Sequence, residues 1–184
     1  MSLPRILVAG IGNIFCGDDA FGVETVRELQ RRPLPTLVVV RDFGVRGHDL
    51  ALALTEGYTA AILIDAAARG HAPGTVFVLE LGAPEQAAAE AFDGGGHSLN
   101  PMAVLRLAAQ FGSPLPKLIL VGCEPAVLET EDGAMELSPP VRAAVPRAAA
   151  LIESLVADLL QAAAPAAPIS ASKNRSAPET PTQS

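Results

Sequence analysis

At 184 residues, 49% of them hydrophobic and 18% charged, the chain has apolar material for one sizeable core and too little length for two full catalytic domains. Its apolar runs, such as Leu37–Val40 and Leu118–Val121, fall far short of the ~18 residues that cross a bilayer, so no membrane partner is expected. Thirteen Lys and Arg against twenty Asp and Glu leave a net charge of −7, the wrong sign for a phosphate backbone, so no nucleic-acid partner is expected either.

The chain opens on Met1-Ser-Leu-Pro-Arg with no basic n-region, apolar h-region or cleavage site, so a cytoplasmic location is expected. Short β-branched runs then alternate with helical patterns. A strand over Ile6–Ala9 leads to a helix over Ala20–Arg31, a strand over Leu37–Arg41 to a helix over Asp49–Thr55, and a strand over Ala60–Ile64 to another over Thr75–Leu81. A helix over Pro101–Phe111 and a strand over Lys117–Val121 follow. Such alternation specifies an α/β, three-layer α/β/α domain with a mostly parallel central sheet of about five strands. The link from Ile64 to Thr75, with Gly70, Pro73 and Gly74, is too short for a helical crossover, so one strand is expected to be antiparallel. Pro146 would break a helix already under way, so the last helix is expected to start there and run to Leu160, with Ala148, Ile152, Leu155 and Leu159 as its buried stripe. Residues 161–184, rich in Ala, Pro, Ser and Thr, cannot repay their ordering entropy and read as a disordered tail beyond a single 1–160 domain. The tail carries Lys173 and Arg175 against Glu179, so the body holds −8.

In open α/β sheets ligands bind beyond the C-terminal strand ends, and titratable residues follow nearly every strand. The first is followed by Gly10-Ile-Gly-Asn13 and Asp18-Asp19, the second by Asp42-Phe-Gly-Val-Arg-Gly47-His48-Asp49, the third by Asp65, the last by Cys123-Glu124. A later loop, Asp93-Gly-Gly-Gly96-His97-Ser98, precedes a helix. Gly10-x-Gly12 is half of a dinucleotide fingerprint, but Phe15 stands where the third glycine belongs and Asp18 and Asp19 would repel a phosphate. Asp19, Asp65 and His97 together suit a divalent ion such as nickel or zinc. Each also has a structural reading, as a helix cap, a strand terminator or a loop residue. Cys16 and Cys123 stand 107 positions apart and read as free thiols, small and apolar in behaviour, although a thiolate beside the crevice would bind nickel. His48 reads as a residue near the site, His71 as a surface loop residue, and Glu124 as either groove lining or a turn cap.

Taken in order, Gly10-Ile-Gly-Asn13, Asp18-Asp19, Gly22, Asp42-Phe-Gly-Val-Arg-Gly47, Ile64-Asp65-Ala66 and Gly96-His97 resemble the maturation endopeptidases of nickel–iron hydrogenases over about residues 5–160. The resemblance implies a cytoplasmic, monomeric hydrolase of an aspartic or metal-assisted type that removes a C-terminal peptide from the hydrogenase large-subunit precursor after nickel insertion. It assigns Asp19, Asp65 and His97 to the metal and Asp42 to proteolysis, as general base or as holder of the loop that orients the peptide. Asp19 stands where the family more often has Glu, one methylene longer. Nickel would arrive with the substrate, with zinc or cadmium able to substitute. No Gly-x-Ser-x-Gly elbow and no HExxH is present. The alternatives are a nickel-binding chaperone or adaptor of the same precursor that does not cut it, and a small dinucleotide-binding oxidoreductase.

Overall fold

The apolar runs become five strands, β1 (Ile6–Ile11), β2 (Val38–Gly44), β3 (Ala60–Ala66), β4 (Val76–Leu81) and β5 (Lys117–Cys123), in a computed structural model that describes residues 3–82, 101–128 and 136–163. They form one sheet in the order β2-β1-β3-β5-β4. β1, β2, β3 and β5 run parallel, and β4 lies antiparallel against β5 at the edge, as the short link after β3 requires. Among the described residues four helices, α1 (Phe21–Leu29), α2 (Gly47–Ala53), α3 (Pro101–Gln110) and α4 (Pro139–Ala163), pack on this sheet, with a 3₁₀ turn over Gly17–Ala20 ahead of α1.

Alternation along the central strands sorts the core into two halves. Ile6 and Val8 of β1, Ile62 and Ile64 of β3 and Val121 of β5 pack with Phe21, Val26 and Leu29 of α1 and with Ala148, Ile152 and Val156 of α4. Leu7 and Ala9, Leu63, and Leu118 and Leu120 face the other way, onto Leu50 and Ala53 of α2 and Met102 and Leu105 of α3. The sheet is thus covered on both faces, which is why β1 and β3 are buried at every residue.

Three details depart from the sequence reading. Four strands run past their apolar cores, to Ile11, Gly44, Ala66 and Cys123, because parallel neighbours pair with the extra residues: Gly10 with Asp42, Asp65 with Gly122, Ala66 with Cys123. The last helix begins at Pro139, not Pro146, and runs through Pro146 to Ala163. Pro146 is exposed, and a helix-interior proline costs about 3 kcal/mol, whereas Val141 and Ala144 before it and Ile152 and Val156 after it are buried. At about 1.5–3 kcal/mol for each large buried apolar side chain, packing on the sheet outweighs the lost hydrogen bond. Gln161–Ala163 accordingly belong to the helix, while residues 164–184, with most of the expected tail, lie outside the described residues. The buried stripe passes through Ala148 and Ile152 as expected and then Val156, with Leu155 and Leu159 partly buried beside it.

α1 reaches the sheet so closely because it starts with Phe21-Gly22. A Cβ on Gly22 would lie 2.2 Å from the carbonyl oxygens of both Ile11 and Ile64, so only glycine lets this helix seat over the C-terminal ends of β1 and β3.

Candidate active site at the carboxyl edge of the sheet

Three adjacent parallel strands, β2, β1 and β3, each deliver an acid to the carboxyl end of the sheet. β1 runs into the turn that holds Asp18 and Asp19, β2 carries Asp42 two residues before its end, and β3 carries Asp65 next to its last residue. Asp42 and Asp65 flank β1, so their backbones stand about 10 Å apart, two strand spacings.

The turn after β1 depends on Gly12. Its φ of +127° is closed to other side chains, and a Cβ there would meet the carbonyl oxygen of Asp19 at 1.8 Å. The chain therefore folds back on itself, and the N–H of Asn13 donates to Asp19 Oδ2 at 2.7 Å. Asn13 Oδ1 in turn accepts from the N–H of Phe15 at 3.0 Å, and the N–H of Asp19 donates to the carbonyl of Cys16 at 3.0 Å. The β1 and β2 loops are joined by a bond from the N–H of Gly12 to the carbonyl of Gly44, 3.1 Å. Asp42 Oδ1 and the Gly12 carbonyl oxygen each lie 3.6 Å from where a Cβ of Gly44 would stand, so the Asp42 carboxylate sits against this junction. Arg46 secures it from outside, its guanidinium donating to the carbonyls of Phe43 and Asp42.

Asp19 is 4% exposed and Asp65 3%. One oxygen each of Asp19, Asp42 and Asp65, Oδ1 in every case, is buried with no hydrogen-bond partner among the described residues. Burial raises the pKa of Asp19, opposed by the Asn13 N–H. Burial pushes Asp65 well above the usual carboxylate range, the charge of Asp19 pushes it further, and the Ala66 N–H works against both. An unsatisfied buried polar atom costs about 1–3 kcal/mol, more if charged. A group of carboxylate oxygens left in that condition suits a hard or borderline divalent cation, which satisfies several at once and removes the repulsion between them. Among the described residues no set of three such donors is close enough to hold a metal ion by itself. His97 lies outside the described residues.

Asp18 is different in kind. Its Oδ2 accepts from the N–H groups of Ala126 (2.8 Å) and Val127 (2.9 Å) and the hydroxyl of Ser138 (2.9 Å). Its Oδ1 accepts from the Ser138 N–H at 2.7 Å. Asp18 is a clamp between the β1 loop, the β5 loop and the start of α4. Glu124 plays a similar part, accepting from the N–H groups of Arg69 (2.7 Å) and Gly70 (3.2 Å) and so holding the link from β3 to β4. Cys123 is fully buried, and burial, with Asp18 nearby, pushes its thiol up to about 12, so no thiolate is available there. Cys16 is half-buried and free, His48 is exposed on α2, and His71 is exposed with its ring tilted against Phe77 at 5.8 Å. Neither Asn13 nor Arg46 stood out as a contributor to the site in the sequence. The signal for Arg46 was its place four residues after Asp42, one loop's width from the carbonyls it binds.

Comparison with known proteins follows the same outline. The family model described as hydrogenase maturation protease matches residues 23–155. The hydrogenase expression/formation protein HupD of Rhizobium leguminosarum is 35% identical over 147 residues, 79% of this chain and 70% of that protein. HupD of Bradyrhizobium diazoefficiens is 36% identical over 140 residues, 75% and 70% of the two chains. Among solved structures, the hydrogenase maturating endopeptidase HybD from E. coli superposes with a TM-score of 0.68 at 30% identity, covering 84% of this chain and 93% of its own.

Proposed function

The chain belongs to the hydrogenase maturation protease family, and from that membership we propose that it removes a C-terminal peptide from the large-subunit precursor of a nickel–iron hydrogenase after nickel insertion, as a monomer in the cytoplasm. The observation that carries the reading is the set of buried, partnerless oxygens on Asp19, Asp42 and Asp65. Asp19 and Asp65 are the carboxylates that would engage the nickel held by the precursor, together with His97. The ion is then part of the substrate, and its recognition reports that the precursor is loaded. A dinucleotide is disfavoured at this edge because its pyrophosphate would face the same uncompensated acids.

Amide hydrolysis adds water across the C–N bond. In this reading Asp42 takes a proton from water, the resulting hydroxide attacks the scissile carbonyl, and the proton passes to the leaving amine as the C–N bond breaks. The bound ion supplies Lewis-acid polarisation of that carbonyl. The grip of Arg46 on the carbonyls of Asp42 and Phe43 keeps the base in place.

Incubation with nickel-loaded precursor, followed by mass spectrometry of the large subunit, tests the reading: loss of a C-terminal peptide is expected. Binding without loss of mass would make the protein an adaptor. The variant His97→Ala should retain its fold and lose processing altogether; full activity would remove His97 from the site. Nickel-free precursor should remain uncut, and equal cleavage of both forms would remove the sensing role.

A further inference from the structure

Resting on that reading, the geometry points to an apolar docking rim around the acidic site, with Phe15 as its anchor, that seats an apolar surface of the hydrogenase large-subunit precursor. Four large hydrophobic side chains stand exposed on the loops at the carboxyl edge: Ile14 (36%) and Phe15 (59%) after β1, Val45 (56%) after β2 and Val127 (37%) after β5. The loops beneath them are stitched together, Gly12 to Gly44 at 3.1 Å and Asp18 to Val127 at 3.1 Å. Phe15 is not loosely displayed. Its N–H is held by Asn13 Oδ1, and the N–H of Cys16 donates to the Asn13 carbonyl at 3.1 Å, so a hydrogen-bonded turn presents the ring to solvent. A large aromatic presented on a rigid backbone is the usual anchor of a protein interface, since little entropy is lost when it is covered.

The occupant follows from what lies within the same turn. Asn13 holds Phe15 through its side chain and Asp19 through its backbone N–H, so a protein that brings a cation to Asp19 meets the turn that presents Phe15. A second copy of this chain does not fit. A symmetric dimer through this rim would set two groups of carboxylates, each with a buried oxygen that has no partner among the described residues, face to face with nothing to neutralise them. A partner that offers an apolar surface and a cation together is complementary to both parts of the edge, and the nickel-loaded precursor is such a partner. Because the contact is apolar, its strength should depend little on salt, despite the chain's net charge of −7.

The test measures the affinity of nickel-loaded precursor for the parent protein and for Phe15→Ser, Val45→Ser and Phe111→Ser. Phe111 is the control, 45% exposed but just after α3 and ahead of β5, at the opposite edge of the sheet. Phe15→Ser should weaken binding about 30-fold and Val45→Ser about 5-fold, with Phe111→Ser within about 2-fold of the parent. Raising salt about tenfold should change the parent's affinity less than about 3-fold. All these side chains are exposed, so the variants should keep the parent's melting temperature, and circular dichroism checks this. Phe15→Ser binding at parent affinity, or an equal loss in Phe111→Ser, would overturn the rim. So would a parent dimer, seen by sedimentation, that Phe15→Ser dissociates. If the parent binds the precursor through Phe15 without cutting it, the peptidase reading fails and the rim stands; if Phe15→Ser binds and cuts like the parent, only the rim fails.

Discussion

Asp65 shows what a buried carboxylate costs the fold. Its pKa is raised above the ordinary value of 3.8, chiefly by burial and then by Asp19, so the folded state holds the proton more tightly than the unfolded chain. The stability that goes with the protonated form is fully present below the unfolded pKa and is lost as pH rises through the raised folded one. Asp65→Asn, which never ionises, should therefore raise the melting temperature of the metal-free protein at pH 7. The advantage should shrink to nothing as pH falls to about 4, in thermal melts across that range. The same variant should lose processing. Asp18→Ala should behave in the opposite way, costing about 2–4 kcal/mol in urea denaturation because it strands the donors of Ala126, Val127 and Ser138. Adjacent and chemically identical, Asp18 and Asp19 could not be told apart by composition or spacing. What separates them is the number of donors each meets, and those of Asp18 come from more than a hundred positions away. That Asp42 and Asp65 would reach the same edge was legible because acids after parallel strands share it; that each would keep one oxygen without a partner among the described residues was not.

Among the elements, the strand cores were readable from their β-branched runs and their ends were not. Gly10, Asp42, Asp65 and Gly122 have poor intrinsic strand preference, and they are extended because a parallel neighbour pairs with them. Those are the residues that bring the acids to the edge. The seat of α1 gives a strong prediction: Gly22→Ala drives a methyl group against backbone oxygens at 2.2 Å that no side-chain rotation relieves. It should cost about 3 kcal/mol or more and shift the turn that carries Asp19, lowering both denaturation midpoint and activity. Pro146 was misread because a local rule was applied where tertiary packing decides. Pro146→Ala restores a helical donor on the exposed side of α4 and should stabilise the protein by about 1–2 kcal/mol, after allowance for the freer unfolded chain, without changing cleavage. At the edge of the sheet, Arg46 occupies the carbonyl of Asp42, at the end of β2. A strand edge blocked in this manner discourages another chain from adding to β2 beside the site.

At the scale of the molecule, the two halves of the core lie on opposite faces of the sheet and the acids lie at its rim. Stability comes from the former, so a chelator should leave the melting temperature unchanged within about 1 °C; a fold built around a structural ion would lose far more. Among the described residues no helix is long and apolar enough to cross a membrane. The layer order was legible because alternation and connection length restrict the topology so severely. His97, named for its imidazole and from the resemblance, lies outside the described residues, and the His97→Ala variant tests it.

The bond from Asp18 to Ser138 joins residues 120 positions apart, and it has a bearing on biosynthesis. During translation the turn that bears Asp19 emerges early, but the backbone donors that fix it, at Ala126, Val127 and Ser138, leave the ribosome near the end of the domain. Contacts of such long range close late. A nascent chain therefore exposes its acids separately, as ordinary solvated carboxylates, and a competent cleft exists only when the chain has been made almost to the end of its last helix. An unfinished copy would lack the joined edge on which the proposed cleavage depends.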